Sequence, residues 1–155
     1  MKKILFAILI AATISGTTVA NDKLAVNTLV TQSFEKEFSG AQSVSWESLA
    51  AKNIFHASFI YNNERLNAYF DAEGTLLATG RYVKMENLPM LVAKGVAEKY
   101  GRQYEIRETI EFIESTETSY IVKLENEKSK LYIQAYGDGS TSILKKEKKN
   151  SVAKL

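Results

Sequence analysis

Cysteine is absent from the 155 residues, and proline, tryptophan and histidine each occur once. Without cysteine the chain cannot form disulfides, so the stability of the fold must come from packing. The same absence excludes thiol chemistry and metal sites built on cysteine. The one histidine, His56, has no second histidine with which to share a metal ion. We therefore expect His56 to be an ordinary sheet residue rather than a catalytic or metal-binding one.

The chain also lacks a marked excess of either charge, with 20 lysine and arginine residues against 18 aspartate and glutamate residues. Proteins that bind nucleic acids ordinarily present a basic face, so we expect no nucleic-acid partner. One basic stretch, KKEKK at residues 145–149, stands near the end of the chain. We predict a basic flexible tail at residues 146–155. Contact of this tail with anionic lipid or cell-wall polymer is the alternative.

No pattern specific to catalysis is present. Neither a Ser-His-Asp arrangement nor a phosphate-binding glycine loop can be assembled from the sequence. Asp71 and Glu73 beside Gly74, with Asp138 in a later turn, fit hairpin turns better than a twelve-residue calcium loop. The sequence thus predicts a protein that is not an enzyme and that has no cofactor and no metal.

The first twenty residues have the features of a signal peptide. Lys2 and Lys3 precede an apolar stretch at residues 4–14, and Thr18 and Ala20 supply small residues at the cleavage site. The apolar stretch is shorter than the roughly 20 residues that a membrane-spanning helix needs. No cysteine follows it, which excludes a lipid anchor of the lipoprotein type. We expect export to the periplasm or the medium, with cleavage after Ala20 and no stable membrane anchor afterwards.

The remaining chain changes twice from helical to strand periodicity. Apolar residues recur every three or four positions from Val26 to Phe38 and from Leu88 to Tyr100, which predicts two helices. After each helix, apolar and polar residues alternate, which predicts antiparallel strands separated by turns such as Asn62-Asn63. The sequence therefore predicts an α+β fold.

Two segments of the sequence can be aligned with each other. Helix positions 30, 34 and 38 match 92, 96 and 100 at an offset of 62, and strand positions 55, 57, 59 and 66 match 120, 122, 124 and 131 at an offset of 65. This predicts a single domain at residues 21–145 that contains a tandem repeat of helix plus antiparallel β-meander, at about 26–83 and 87–145. The two helices would pack on one face of a shared sheet.

This layout resembles the PepSY-like family, which is related in fold to the beta-lactamase inhibitory protein. The resemblance is carried by Phe34, Phe38-Ser39-Gly40-Ala41, Val44-Ser45-Trp46, Ala68-Tyr69-Phe70-Asp71-Ala72-Glu73-Gly74 and Leu88-Pro89. Ser39 stands where the family often has proline, and Tyr136-Gly137-Asp138-Gly139 is a reduced copy of the first turn motif. The resemblance implies a secreted or periplasmic domain that binds protein or peptide. It does not imply inhibition of a beta-lactamase.

Strand parity predicts an open sheet face turned away from the helices. If Phe55, Phe59 and Leu124 pack beneath the helices, the alternate residues face outward. The predicted binding face consists of His56, Ile60, Asn67, Tyr69, Ile121, Lys123, Tyr132, Gln134 and Tyr136. Tyrosine and isoleucine among polar residues are typical of an interface, although antiparallel sheets also expose scattered apolar residues. Trp46 is expected in the core or at its edge rather than at this face.

These patterns predict an exported, non-catalytic domain that binds an unidentified protein or peptide outside the cytoplasm, with enzyme inhibition as one form of that function. A periplasmic folding or envelope-stress helper is an alternative, and a small hydrolase is another. An inhibitor would bind one partner tightly, whereas a helper would bind many clients weakly. A hydrolase would need a localised polar pocket.

Export should leave a shortened chain. Expression of the full chain in a Gram-negative host should yield periplasmic protein that begins at Asn21, because small residues precede that position. Intact-mass measurement and N-terminal sequencing check this outcome. Ala20→Leu should block processing, whereas the control Val19→Leu, between the two small positions, should not. Recovery of only the unprocessed chain from wild type would contradict the prediction.

Overall fold

The computed structural model describes residues 26–49 and 53–149. Two α-helices are present in these ranges, α1 (Thr28–Glu37) and α2 (Met90–Tyr100), and a short 3-10 helix at Met85–Asn87 precedes α2. The strands are β1 (Gln42–Leu49), β2 (Ile54–Tyr61), β3 (Glu64–Phe70), β4 (Leu76–Tyr82), β5 (Glu105–Glu114), β6 (Glu117–Glu125), β7 (Ser129–Tyr136) and β8 (Thr141–Lys148). They form one eight-stranded antiparallel sheet in chain order, so the predicted α+β class is correct.

The chain divides into two compact units. Of the described residues, the N-terminal unit contains 26–82 and 112–117, and the C-terminal unit contains 83–111 and 118–149. The prediction of a single domain at residues 21–145 with repeats at about 26–83 and 87–145 stays a prediction. The predicted signal peptide lies outside the described residues. Within the described ranges, no helix is both long and apolar enough to cross a membrane.

The predicted flexible tail begins too early. Strand β8 extends to Lys148, and the backbone N–H of Lys149 donates to the carbonyl of Lys128 at 2.9 Å. Residues 146–149 therefore belong to ordered structure, and residues 150–155 lie outside the described part. The lysine-rich composition was misleading because charged side chains are common on the edge strands of sheets, where they discourage pairing with other chains.

Helix α1 covers the core of the N-terminal unit. Asn27 caps its N-terminus: the side-chain oxygen accepts from the N–H of Leu29 at 2.9 Å, and the side-chain amide donates to the carbonyl of Ala72 at 2.7 Å. Its buried stripe is Val30 and Phe34. The Phe34 ring meets three others with centroid distances of 4.8–6.3 Å, in the edge-on geometry that aromatic pairs prefer: Trp46, Phe59 and Phe70. Trp46 is thus a core-edge residue, as predicted.

Helix α2 covers the core of the C-terminal unit. It follows Pro89, which has no N–H to leave unpaired at a helix start. Its buried side chains join the strand residues in one apolar cluster: Leu88, Val92, Val96, Tyr100, Tyr120, Val122, Leu124, Leu131, Ile133 and Ala135. The Tyr100 hydroxyl and the Lys99 ammonium both bond to Thr141, at 3.2 and 2.9 Å, which ties the end of the helix to β8.

Each unit brings a turn glycine against its helix backbone. Gly74, between β3 and β4, has a φ of +85°, and a Cβ there would lie 2.8 Å from the carbonyl oxygen of Leu29. Gly139, between β7 and β8, has a φ of +86°, and a Cβ there would lie 2.7 Å from the carbonyl oxygen of Leu91. Glycine is required at both positions because any other residue would be strained and would also push the helix away from the sheet.

Alanine at Gly74 should destabilise the fold by about 2–4 kcal/mol, because backbone strain and a backbone clash add there. Alanine at Gly40, with a φ of +88° and no atom within 4 Å of a Cβ, should cost only about 1 kcal/mol of strain. Gly137→Ala is the matched control, since a Cβ there has no atom within 4 Å and φ is not positive. Urea unfolding followed by circular dichroism measures all three. Equal losses for Gly74→Ala and Gly40→Ala would contradict the close helix contact.

Candidate functional site

The strand register of the N-terminal unit separates two sheet faces as parity predicts. Ala57 pairs with Ala68, and both belong to the apolar cluster beneath α1. His56 pairs with Tyr69, one position away, so this pair lies on the opposite face together with Asn67. The β2–β3 hairpin that sets this register turns at the predicted pair Asn62-Asn63, with φ values of 51° and 63°. Two positive φ values in a two-residue loop are those of a type I′ turn.

The C-terminal unit shows the same separation. Val122 pairs with Ile133, and both pack in the cluster with α2. The next pair on each strand, Lys123 with Tyr132, therefore lies on the opposite face. All the predicted residues of this unit lie on that face: Ile121, Lys123, Tyr132, Gln134 and Tyr136.

Most of the predicted binding residues are buried, so the expectation of an open face is wrong for them. Six are at most 9% exposed: His56, Asn67, Tyr69, Ile121, Tyr132 and Gln134. Ile60 and Tyr136 are exposed, at 40% and 38%, and Lys123 is partly exposed. Large side chains cover one another here, since the Tyr69 ring stacks on His56 at 4.6 Å and meets Phe112 at 6.1 Å. Parity determines the face of a side chain but not the size of its neighbours.

A hydrogen-bonded chain crosses β1, β2 and β3 through the only histidine. His56 Nδ1 lies 3.3 Å from Glu47 Oε2, and His56 Nε2 lies 2.9 Å from Asn67 Oδ1. Both ring nitrogens face oxygen atoms, so a doubly protonated imidazole donates both bonds at once. A neutral ring donates from one nitrogen only, so with the side chains as they stand only one of these two contacts is then a hydrogen bond. Because both nitrogens of His56 are engaged, neither is positioned to activate a nucleophile.

Asn67 carries an unsatisfied group. Its side-chain nitrogen Nδ2 is the one buried side-chain N or O atom without a hydrogen-bond partner in the described part of the chain. A buried N–H that has no acceptor costs about 1–3 kcal/mol, and most native structures have few such groups. Since Oδ1 is bound to His56 and the two branches of an amide diverge, Nδ2 points away from the histidine ring.

An exposed tyrosine of the C-terminal unit is held by its neighbours. The hydroxyl of Tyr136 donates to Gln134 Oε1 at 3.0 Å, and Gln134 Nε2 donates to Ser119 Oγ at 3.2 Å. Gln134 and Ser119 are buried, whereas Tyr136 is 38% exposed. The buried pair therefore restricts the orientation of an aromatic ring that solvent can reach.

Burial is the main cause of a raised pKa at two buried tyrosines of the predicted binding face. Burial, followed by Tyr82 and Glu47, raises the pKa of Tyr69 well above its usual value. Burial, followed by Glu147, Glu108 and Glu125, raises the pKa of Tyr132. Both phenols therefore remain neutral hydrogen-bonding groups at physiological pH.

Two residues of this face were missed by the sequence analysis. Glu47 alternates with Trp46, and Arg65 lies two positions from Asn67, so parity alone places both on it. Glu47 lies next to His56 because β1 pairs with β2 in this register, and the alternation of residues along the sequence does not specify that pairing. Within residues 26–49 and 53–149, no three histidine, aspartate or glutamate side chains are grouped so as to hold a metal ion.

Comparison with known proteins identifies related folds. No family model matches the chain, and no curated protein matches it in sequence. A BLIP-like protein from Bacteroides fragilis superimposes with a TM-score of 0.65 at 17% identity, over 86% of this chain and 95% of the other. The fold is similar to that of a BLIP-like protein. This confirms the predicted fold relation to the beta-lactamase inhibitory protein, whereas membership of the PepSY-like family stays a prediction.

Two further solved structures have a similar fold. A DUF2874 family protein from Bacteroides ovatus gives a TM-score of 0.66 at 17% identity, over 78% of this chain and 86% of the other. A protein from Bacteroides eggerthii that is provisionally described as periplasmic gives 0.69 at 12% identity, over 79% and 88%. At these identities the likeness establishes the fold alone.

The raised pKa of Tyr69 predicts a loss of stability at alkaline pH. An unfolded chain releases the phenol proton near pH 10, before the folded chain does, so the contribution of neutral Tyr69 is complete below about pH 10 and falls above it. The slope from this group should approach about 1.4 kcal/mol per pH unit. Urea midpoints measured between pH 8 and 11 should fall less steeply in Tyr69→Phe. If the control Tyr136→Phe reduced the slope as much, Tyr69 would not be the source.

Proposed function

We propose that this chain is an exported, non-catalytic domain that binds a protein or peptide partner outside the cytoplasm, with enzyme inhibition as one form of that function. The binding surface lies on the sheet faces turned away from α1 and α2. The observation that carries this proposal is the oriented tyrosine of the C-terminal unit, Tyr136. Tyrosines that are held in place before binding lose little conformational entropy and are frequent anchors at interfaces.

The distribution of polar groups supports binding rather than catalysis. The clusters under the helices are apolar, whereas the opposite faces carry hydrogen-bonding groups such as Gln134, Asn67 and His56. These groups mostly bond to one another, and His56 is engaged at both nitrogens. Within the described residues, an arrangement of this kind holds exposed side chains such as Tyr136 in place and positions no activated nucleophile.

The related folds support the proposed location and class. One neighbour is BLIP-like, and another is provisionally described as periplasmic. Export to the periplasm or the medium is consistent with both and with the features of the first twenty residues. We accordingly propose that the mature protein acts outside the cytoplasm, within a PepSY-like group of binding domains.

Buried residues and turn glycines at matching positions of the two units support a tandem repeat. Val30 and Phe34 are buried in α1, and the positions 62 residues later, Val92 and Val96, are buried in α2. The turn glycines Gly74 and Gly139, 65 residues apart, each contact a helix carbonyl. We infer that the two units arose as copies of one helix-plus-meander element and form a single binding domain.

The exposed tyrosine gives the test. The protein recovered after export is used to capture partners from an envelope extract of the source organism, and a captured protein is then purified for affinity measurement. Tyr136→Ser should raise the dissociation constant about tenfold or more, because it removes an aromatic anchor. Tyr136→Phe keeps the ring and should weaken binding less.

The matched control lies on a helix. Met90 is 82% exposed at the start of α2, so Met90→Ser removes an even more accessible apolar side chain away from the proposed surface. This variant should bind as wild type does. Equal weakening by Tyr136→Ser and Met90→Ser would contradict the assignment of the surface. Weak capture of many unrelated proteins by all variants would favour the folding-helper function instead.

A further inference from the structure

A row of short side chains crosses four strands of the N-terminal unit. Successive paired residues place it on the face opposite α1: Ser45, Ser58, Asn67 and Gly80. The row beside it contains the stacked rings of His56 and Tyr69. On the other side, Ile60 pairs with Arg65. A row of serine, asparagine and glycine between larger side chains forms a recess across the sheet.

The recess adjoins an open groove of about 470 Å³ at one edge of the unit. Ser45, Ser58, Ile60 and Arg65 line this groove. Asn67 is directly paired with Ser58, so its side chain lies beside a residue that lines the groove, although Asn67 itself does not line it. Exposure falls along the same path, since Arg65 is exposed, Ser58 is intermediate and Asn67 is only 4% exposed.

Three polar side chains along this path can donate hydrogen bonds, and one of them is positively charged. Asn67 Nδ2 has two N–H groups and no acceptor within the described residues. Arg65 has no carboxylate within ion-pair distance in the same part of the chain, and its guanidinium lies 5.2 Å from the centre of the Tyr82 ring. The aromatic face holds the cation in place without neutralising its charge. The Ser58 hydroxyl can donate as well.

We propose that this recess binds a carboxylate side chain of the partner protein. The carboxylate accepts from Asn67 Nδ2 and Ser58, and it is attracted by Arg65. A carboxylate is the acceptor-only group that matches these donors and this charge, and hydrogen bonds to ionised groups are stronger than neutral ones. This inference rests on the proposed binding function and adds the chemistry of one contact. An acidic residue of the partner would give the buried amide the acceptor that it lacks.

The test uses a small carboxylate and its neutral counterpart. Protein recovered after export is labelled with ¹⁵N and titrated with N-acetyl-glutamate α-amide, and separately with N-acetyl-glutamine α-amide. The side-chain NH₂ signals of Asn67 should shift progressively with the carboxylate and remain in place with the neutral amide. Equal shifts with both probes, or no shift with either at tens of millimolar, would overturn the proposal.

The role of Arg65 can be tested by removing its charge. Arg65→Gln should weaken binding of the carboxylate probe about tenfold, since it removes the only charge assigned to the recess. Arg81→Gln is the matched control, because Arg81 pairs with Leu66, a residue of the α1 side, and so lies on the other face. Equal weakening by both variants would show a non-specific charge effect and would overturn the assignment. If Arg65→Gln failed to fold, the comparison of probes on wild type would still decide.

The two proposals can fail separately. A partner whose binding depends on Tyr136 but is unchanged by Arg65→Gln would leave the proposed function intact and overturn the carboxylate contact. If the carboxylate probe shifts the Asn67 signals but the protein captures no partner, the carboxylate site would stand and the proposed function would be overturned.

Discussion

The packing of each helix against its strands is the interaction on which the rest of this structure depends. No disulfide is available, so the burial of α1 and α2 has to stabilise the fold. In the N-terminal unit Phe34 contacts four aromatic rings, and the turn at Gly74 approaches the helix backbone so closely that a Cβ would collide with it. Because each helix packs on the apolar side of its own strands, the proposed binding residues are those of the opposite side.

On the faces opposite the helices, several polar side chains are held by hydrogen bonds, but one buried polar atom has no hydrogen-bond partner. His56 is bonded at both ring nitrogens, and Gln134 links Ser119 to Tyr136. Such networks hold side chains in one arrangement, which favours selective binding. Asn67 departs from this pattern because one of its polar atoms is buried without a partner. Departures of this kind in an otherwise satisfied structure are expected where a ligand supplies the missing contact.

The fold could be predicted well because its signals are local. The stripes in α1 and α2, the turn at Asn62-Asn63 and the alternation along β2 and β3 each depend on residues close in sequence. The tail was predicted less well, since a lysine-rich edge strand and a frayed terminus have the same composition. Burial of the predicted face was also missed. Exposure depends on side chains from neighbouring strands, such as Tyr69 against His56 and Phe112.

The sequence by itself determined the α+β class, the absence of thiol chemistry, the positions of the helices and the face that each strand residue occupies. These follow from composition and from the periods of 3.6 and 2 that chain geometry imposes. Only the tertiary structure decided which residues of that face remain exposed and how they bond. It paired Glu47 with His56, aligned Ser58 with Asn67, and left the Asn67 amide without an acceptor. The reason is physical, because strand register joins residues distant in the chain and no local period encodes that pairing.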